Sequence, residues 1–99
     1  MPAPYTVLKD GKTAVTTAGQ RVQLTTTGTP CAKLTVTALG NNTNEIVYGG
    51  ITVVGAVGST RSGTPLQPGQ SVDIPIDDLS KVWLDSIVNG EGVSYTWLY

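Results

Sequence analysis

The sequence lacks histidine and phenylalanine, and it contains one cysteine, one methionine and only 13% charged residues. Without histidine the chain has neither the usual general base nor the usual zinc ligand, and no Ser-His pair can form. The single cysteine, Cys31, excludes an intrachain disulfide and lacks a base to form its thiolate, so we expect a small, buried or half-buried side chain there. No stretch of about 18 apolar residues occurs, as a conventional membrane-spanning helix requires.

The charge balance and the first residues limit the partners and the compartment. The formal net charge is −1, whereas a nucleic-acid partner requires a cluster of Lys and Arg to neutralise its phosphates. The beginning of the chain shows no basic region followed by an apolar run, which is the pattern of a conventional export signal. We therefore expect no nucleic-acid partner, no membrane partner and synthesis in a cytoplasm.

Threonine, valine and glycine dominate the composition, which is typical of sheet proteins with frequent turns. The 99 residues predict one domain with a modest core, which self-association would stabilise further. Residues 1–4 include Pro2 and Pro4 and are predicted to form an extended N-terminal arm, because proline cannot donate to a strand ladder. Residues 5–99 are predicted to form a single β-sandwich domain.

Strict alternation of apolar and polar residues predicts two half-buried strands. In the stretch 31–39 the apolar face consists of Ala32, Leu34, Val36 and Ala38. In the stretch 93–99 it consists of Val93, Tyr95, Trp97 and Tyr99. Further strands are predicted at 5–8, 13–17, 21–26, 45–48 and 51–54, and in the stretch 65–84, where Val72, Ile74 and Ile76 alternate with polar residues.

Turn residues separate these strands. Asp10-Gly11 predicts a turn between the first two strands, and Asn89-Gly90 predicts a compact hairpin connection into the last one. Pro68-Gly69 is another turn signal, and Asp77-Asp78 is predicted to cap at most one helical or 3₁₀ turn. Because no window shows helical periodicity over several turns, we predict an all-β fold without substantial helix. An antiparallel β-sandwich or jelly roll is favoured, and a small closed barrel is the alternative.

Four acidic residues in the second half, Asp73, Asp77, Asp78 and Asp85, provide the strongest suggestion of an active site. Two carboxylates on either side of a bond hydrolyse glycosides, and a cluster of carboxylates holds calcium. However, Asp77 and Asp78 fit a turn cap, and Asp73 alternates with Val72 and Ile74, which places it on a polar face. We therefore predict structural roles for these acids. The expected protein is not an enzyme and has no catalytic residue, metal or cofactor.

The aromatic residues allow two interpretations. Trp83, Tyr95, Trp97 and Tyr99 could form a platform on which a sugar ring stacks. In a chain without phenylalanine, the same rings have to supply most of the bulky side chains for a core or an interface. We favour the second interpretation, in which these rings form the core or contact a neighbouring subunit.

Five stretches resemble small virion proteins of tailed double-stranded DNA bacteriophages. They are Cys31-Ala-Lys-Leu-Thr-Val-Thr-Ala-Leu, Glu45-Ile-Val-Tyr-Gly-Gly, Thr64-Pro-Leu-Gln-Pro-Gly-Gln-Ser-Val-Asp-Ile, Asp77-Asp-Leu-Ser-Lys-Val-Trp-Leu-Asp-Ser and Gly92-Val-Ser-Tyr-Thr-Trp-Leu-Tyr. The resemblance covers about residues 20–99. It implies a β-sandwich or jelly roll, commonly trimeric, that decorates or cements the capsid exterior.

This resemblance leads to a functional expectation. We expect a capsid decoration protein that binds the major capsid protein on the outer surface of the virion, stabilises the expanded shell and forms a homotrimer. The candidate subunit or capsid contacts are Pro2, Pro4, Arg61, Tyr95, Trp97 and Tyr99. The alternative is a tail, fibre or baseplate module that binds a host surface glycan.

Overall fold

Two four-stranded antiparallel sheets form the fold in a computed structural model, which describes residues 7–56, 58 and 60–99. The strands are β1 (Leu8–Val15), β2 (Val22–Gln23), β3 (Lys33–Ala38), β4 (Ile46–Gly49), β5 (Thr64–Leu66), β6 (Ser71–Ile74), β7 (Trp83–Ser86) and β8 (Glu91–Leu98). A single 3₁₀ turn, Leu79–Lys81, precedes β7. In these described ranges no helix is long and apolar enough to cross a membrane.

The strand order identifies the architecture. One sheet has the order β1-β8-β3-β6 and the other has the order β2-β7-β4-β5. Every neighbouring pair is antiparallel, and this arrangement of eight strands is that of a jelly roll. The all-β prediction is therefore confirmed. The first and last strands lie side by side, although they are the most distant strands in the sequence.

The core lies between the two sheets and follows the predicted alternation. Leu34, Val36 and Ala38 of β3 are fully buried, as is Val93 of β8. The opposite sheet contributes buried side chains, among them Ile46, Leu66 and Leu84. One predicted position is wrong, because Ala32 is exposed and its neighbour Cys31 is buried. Both residues precede β3, so the alternation within that strand does not determine which way they face.

The turn predicted at Asp10-Gly11 does not exist, because β1 runs through both residues as one continuous strand. Gly11 lies directly opposite Tyr95 of β8. A Cβ atom at Gly11 would lie 2.6 Å from the Tyr95 ring, so the glycine leaves room for the ring instead of turning the chain. Leu8 and residues 13–15, which were predicted to belong to two separate strands, are thus part of one strand, and residues 5 and 6 of the first prediction lie outside the described residues.

Two further strand predictions need correction. The stretch 51–54 is not a strand, because only Val54 forms a bridge, with Ser62, and the Val53 N–H donates to the Gly50 carbonyl in a turn. The stretch 21–26 contains only the two residues of β2. Beyond β2, the Leu24 N–H still donates to the Val82 carbonyl at 2.8 Å, and Leu24 is buried.

The turn signals in the second half are mostly confirmed. Gly69 has a φ of 82° and connects β5 to β6, and Asp78 caps the 3₁₀ turn. The Asn89-Gly90 turn also exists, with a φ of 84° at Gly90. It is not a hairpin, however, because β7 and β8 belong to different sheets. The turn instead carries the chain from one sheet to the other.

Candidate interaction surfaces

The acidic residues considered for catalysis are each engaged by different partners. Asp77 pairs with Lys81 at 2.7 Å, and Asp73 lies 3.7 Å from Lys33. Asp85 is buried and accepts hydrogen bonds from backbone N–H groups. Within the part of the chain that the structure describes, no group of three or more acidic or cysteine side chains is arranged to hold a metal ion.

Asp78 connects the loop that precedes β3 to the 3₁₀ turn through side-chain hydrogen bonds. Its Oδ1 accepts hydrogen bonds from the Thr29 N–H at 2.9 Å, the Ser80 N–H at 2.9 Å and the Ser80 hydroxyl at 2.7 Å. These hydrogen bonds lower the pKa of Asp78 below its ordinary value, and the hydrogen bond from Thr29 has the largest effect. The predicted role of Asp77-Asp78 as a turn cap is therefore confirmed for Asp78.

The cap predicts a stability contribution that depends on pH. Because the folded state favours the charged carboxylate of Asp78, this contribution is complete above the unfolded pKa of about 3.9 and is lost as pH falls through the lower folded pKa. Asp78→Ala is expected to reduce the free energy of unfolding at pH 7 more than at pH 3 in urea titrations. Asp78→Asn keeps an acceptor oxygen, so it should reduce the free energy of unfolding at pH 7 less than Asp78→Ala does. An equal loss for Asp78→Ala at both pH values would contradict the prediction.

Cys31 is buried, as predicted, and its thiol donates to the Ile76 carbonyl at 3.1 Å. Burial raises the pKa of the Cys31 thiol, and the carboxylates of Asp78 and Asp77 raise it further. Because the reactive form of cysteine is the thiolate, Cys31 is held in its unreactive form. Its role is packing between the two sheets.

Arg61, a predicted contact residue, is engaged within the fold. Its guanidinium pairs with the Glu45 carboxylate, and its side chain is only 18% exposed. The Arg61 Nη2 also donates to the Gly55 carbonyl at 3.1 Å. The pair ties the segment after Gly55 to the residue that precedes β4. Little of the guanidinium is therefore left for a partner.

The predicted aromatic contacts divide into one core ring and two surface rings. Tyr95 is 8% exposed, and its ring stacks on Trp97 with centroids 5.6 Å apart. Trp97 is half-buried, and Tyr99 is 56% exposed. Trp97 and Tyr99 line a groove of about 200 Å³, whose other lining residues are Lys9, Gly28, Thr29 and Pro30. Tyr95 supports this groove from the core.

Exposed apolar side chains continue from the groove around the end of the β1–β8 pair. Val7 is 41% exposed and Leu8 is 69% exposed. Val7 exchanges two backbone hydrogen bonds with Tyr99, and Leu8 lies opposite Leu98. We call Val7, Leu8, Trp97, Leu98 and Tyr99 the end patch. Its members lie at one end of the β1–β8 pair, on both faces of the sheet.

Sequence reasoning found the aromatic half of the end patch and missed Val7 and Leu8. The alternation of Gly11, Thr13 and Val15 towards the core was the available signal for a continuous first strand. The predicted contacts Pro2 and Pro4 lie outside the described residues.

No protein-family model, curated protein or solved structure matches the chain.

Proposed function

We propose that this chain is a structural protein of the virion of a tailed double-stranded DNA bacteriophage. In this proposal it binds the major capsid protein on the capsid exterior and stabilises the expanded shell. Two observations support it: the resemblance of the five stretches to small virion proteins, and a jelly-roll fold, the architecture which that resemblance implies. A non-enzymatic role is consistent with acidic side chains that are occupied by separate structural contacts.

The end patch is the observation that carries the proposal. Large apolar side chains scattered singly over a surface are ordinary, whereas a contiguous group of them is typical of a protein contact. Here Val7 and Tyr99 are exposed neighbours on one face of the β1–β8 pair, and Leu8 is exposed beside Leu98 on the other face at the same end. Aromatic rings such as Trp97 and Tyr99 are also enriched at protein interfaces. The patch therefore supports a partner protein as the ligand.

A capsid role needs no single strong contact. An internal genome pushes the shell outward, and a protein that bridges several shell subunits opposes their separation. Because the bridging contacts act together, their combined affinity exceeds that of each one. Binding only after expansion follows if the complete site exists only in the expanded lattice, since a ligand shifts a population towards the state that it binds.

Co-sedimentation with capsids tests the proposal. The purified chain is expected to sediment at a fixed ratio with mature capsids from which it has been removed. Tyr99→Ala removes an exposed ring of the end patch and is expected to lower capsid affinity about tenfold. Ile51 is exposed to a similar extent, 60%, but lies outside the patch, so Ile51→Ala is the matched control and should bind normally. Wild-type protein that stays in the supernatant would contradict the proposal.

A second candidate function uses the groove beside the end patch. Two rings, Trp97 and Tyr99, together with Lys9 line about 200 Å³, a combination of apolar walls and a few polar groups that suits a small ligand. A host surface glycan, bound by a tail, fibre or baseplate module, fits this chemistry. Gold-labelled antibody on intact particles discriminates the two functions: label on the capsid supports decoration, and label confined to tails supports glycan recognition.

A further inference from the structure

We propose that the free edge of β1 pairs antiparallel with β1 of a second copy, across a two-fold axis, to form one continuous eight-stranded sheet. The four edge strands of the two sheets differ in how they are protected. β2 has two residues, β5 contains Pro65, and β6 is followed directly by Pro75. Short strands and prolines protect edges against pairing. β1 has eight residues and no proline.

The backbone of β1 has groups available for a partner strand. Val7 and Tyr99 exchange two hydrogen bonds, at 3.2 Å and 2.9 Å. Because such pairs alternate along an antiparallel ladder, every second residue of β1 directs its N–H and C=O away from β8. These residues are Leu8, Asp10, Lys12 and Ala14. In the described part of the chain no other strand pairs with this side of β1.

The same four residues place their side chains on the outer face of the sheet, where all of them are exposed. In chain order they are apolar, acidic, basic and apolar. An antiparallel second copy presents this pattern in reverse. When Asp10 lies opposite Lys12 of the second copy, Leu8 lies opposite Ala14, and each of the four outer-face pairs joins complementary groups. Opposite charges and apolar groups placed directly across a ladder stabilise it.

Charge selects this register over its neighbours. A shift of two residues in one direction places Asp10 opposite Asp10 of the second copy. The same shift in the other direction places Lys12 opposite Lys12. Like charges directly opposite each other destabilise a strand pair, and a shift of one residue would turn the outer side chains to the other face. Only the central register is self-complementary.

Analytical ultracentrifugation of the whole chain tests the inference. The wild type is expected to reach twice the 10.3 kDa mass of the chain as concentration rises. Asp10→Lys and Lys12→Asp each put like charges opposite each other in both cross-strand pairs, so each is expected to raise the dimer dissociation constant about tenfold or more. The double variant Asp10→Lys/Lys12→Asp restores both pairs and should restore the wild-type constant.

Lys9→Glu is the matched control, because Lys9 lies on the opposite face of β1 and would face Thr13 of the second copy. It should leave the dimer intact. Near-ultraviolet circular dichroism establishes that each variant is folded. A wild type that stays at 10.3 kDa or a double variant as weak as the single ones would overturn the inference. So would a homotrimer, the assembly that the resemblance implies, if it forms at all concentrations. The inference shares Leu8 with the end patch, but dimer formation and capsid co-sedimentation are measured independently, so the two proposals fail separately.

Discussion

Asp85→Ala is expected to lower the free energy of unfolding by about 4 kcal/mol. Asp85 is 3% exposed, and three backbone N–H groups donate to its carboxylate. Gly19 and Ser86 donate to Oδ1 at 3.1 and 2.8 Å, and Gly55 donates to Oδ2 at 2.8 Å. Alanine leaves the Gly55 and Ser86 N–H groups without this acceptor, whereas the Gly19 N–H still donates to the Ser86 carbonyl. An unsatisfied buried donor costs about 1–3 kcal/mol.

Chemical denaturation with urea measures this effect. Asp85→Asn is the conservative comparison: it keeps one acceptor oxygen but turns an NH₂ group towards one of the donors, so its loss should be intermediate. Asp73→Ala is the matched control, because its carboxylate is 63% exposed in a surface ion pair with Lys33, and it should lose less than about 1 kcal/mol. A loss as small for Asp85→Ala as for Asp73→Ala would show that Asp85 does not join these three segments.

Gly55→Ala is expected to cost about 3 kcal/mol, because Gly55 packs directly against the backbone of β7. A Cβ atom there would lie 2.8 Å from the Ser86 nitrogen and 3.0 Å from the Asp85 carbonyl carbon. A flexible side chain can move away from such a contact, whereas a paired strand cannot do so without breaking its ladder. The clash also displaces the Gly55 N–H from the Asp85 carboxylate.

Gly50→Ala is the matched control for this substitution. An added Cβ at Gly50 meets nothing within 4 Å, so a change within about 0.5 kcal/mol is expected in the same urea titration. Because Gly55 and Asp85 share a hydrogen bond, the double variant should lose less than the sum of the single losses. Equal stability of the Gly55→Ala and Gly50→Ala variants would contradict the close packing.

Local patterns were sufficient to predict the core faces of β3 and β8. In both strands one face is buried and the other meets solvent, so the burial of Leu34, Val36 and Val93 appears directly as alternation in the sequence. The cap at Asp78 was predictable for a similar reason, since its partner Ser80 is two residues away. These features depend on neighbours in the chain.

The errors arose where a distant partner decides the structure. Asp10-Gly11 is a turn signal by itself, but the ring of Tyr95, which lies far along the chain, requires the glycine within a strand. Asn89-Gly90 was correctly assigned as a turn, yet its strands belong to different sheets. The end patch was half-predicted, because the exposure of Val7 and Leu8 depends on how β1 pairs with β8.

The pairing of Val7 with Tyr99 has a mechanical consequence. Both residues lie at the same end of the antiparallel β1–β8 ladder. A force that pulls Val7 and Tyr99 apart therefore breaks the hydrogen bonds of the ladder one residue pair at a time. It does not load all the hydrogen bonds at once, as a force along the strands would. A partner that binds the end patch as one surface holds Val7 and Tyr99 together and therefore places no such force across the ladder. Forces that pull the two residues apart would load the β1–β8 ladder in the direction in which its hydrogen bonds break one after another.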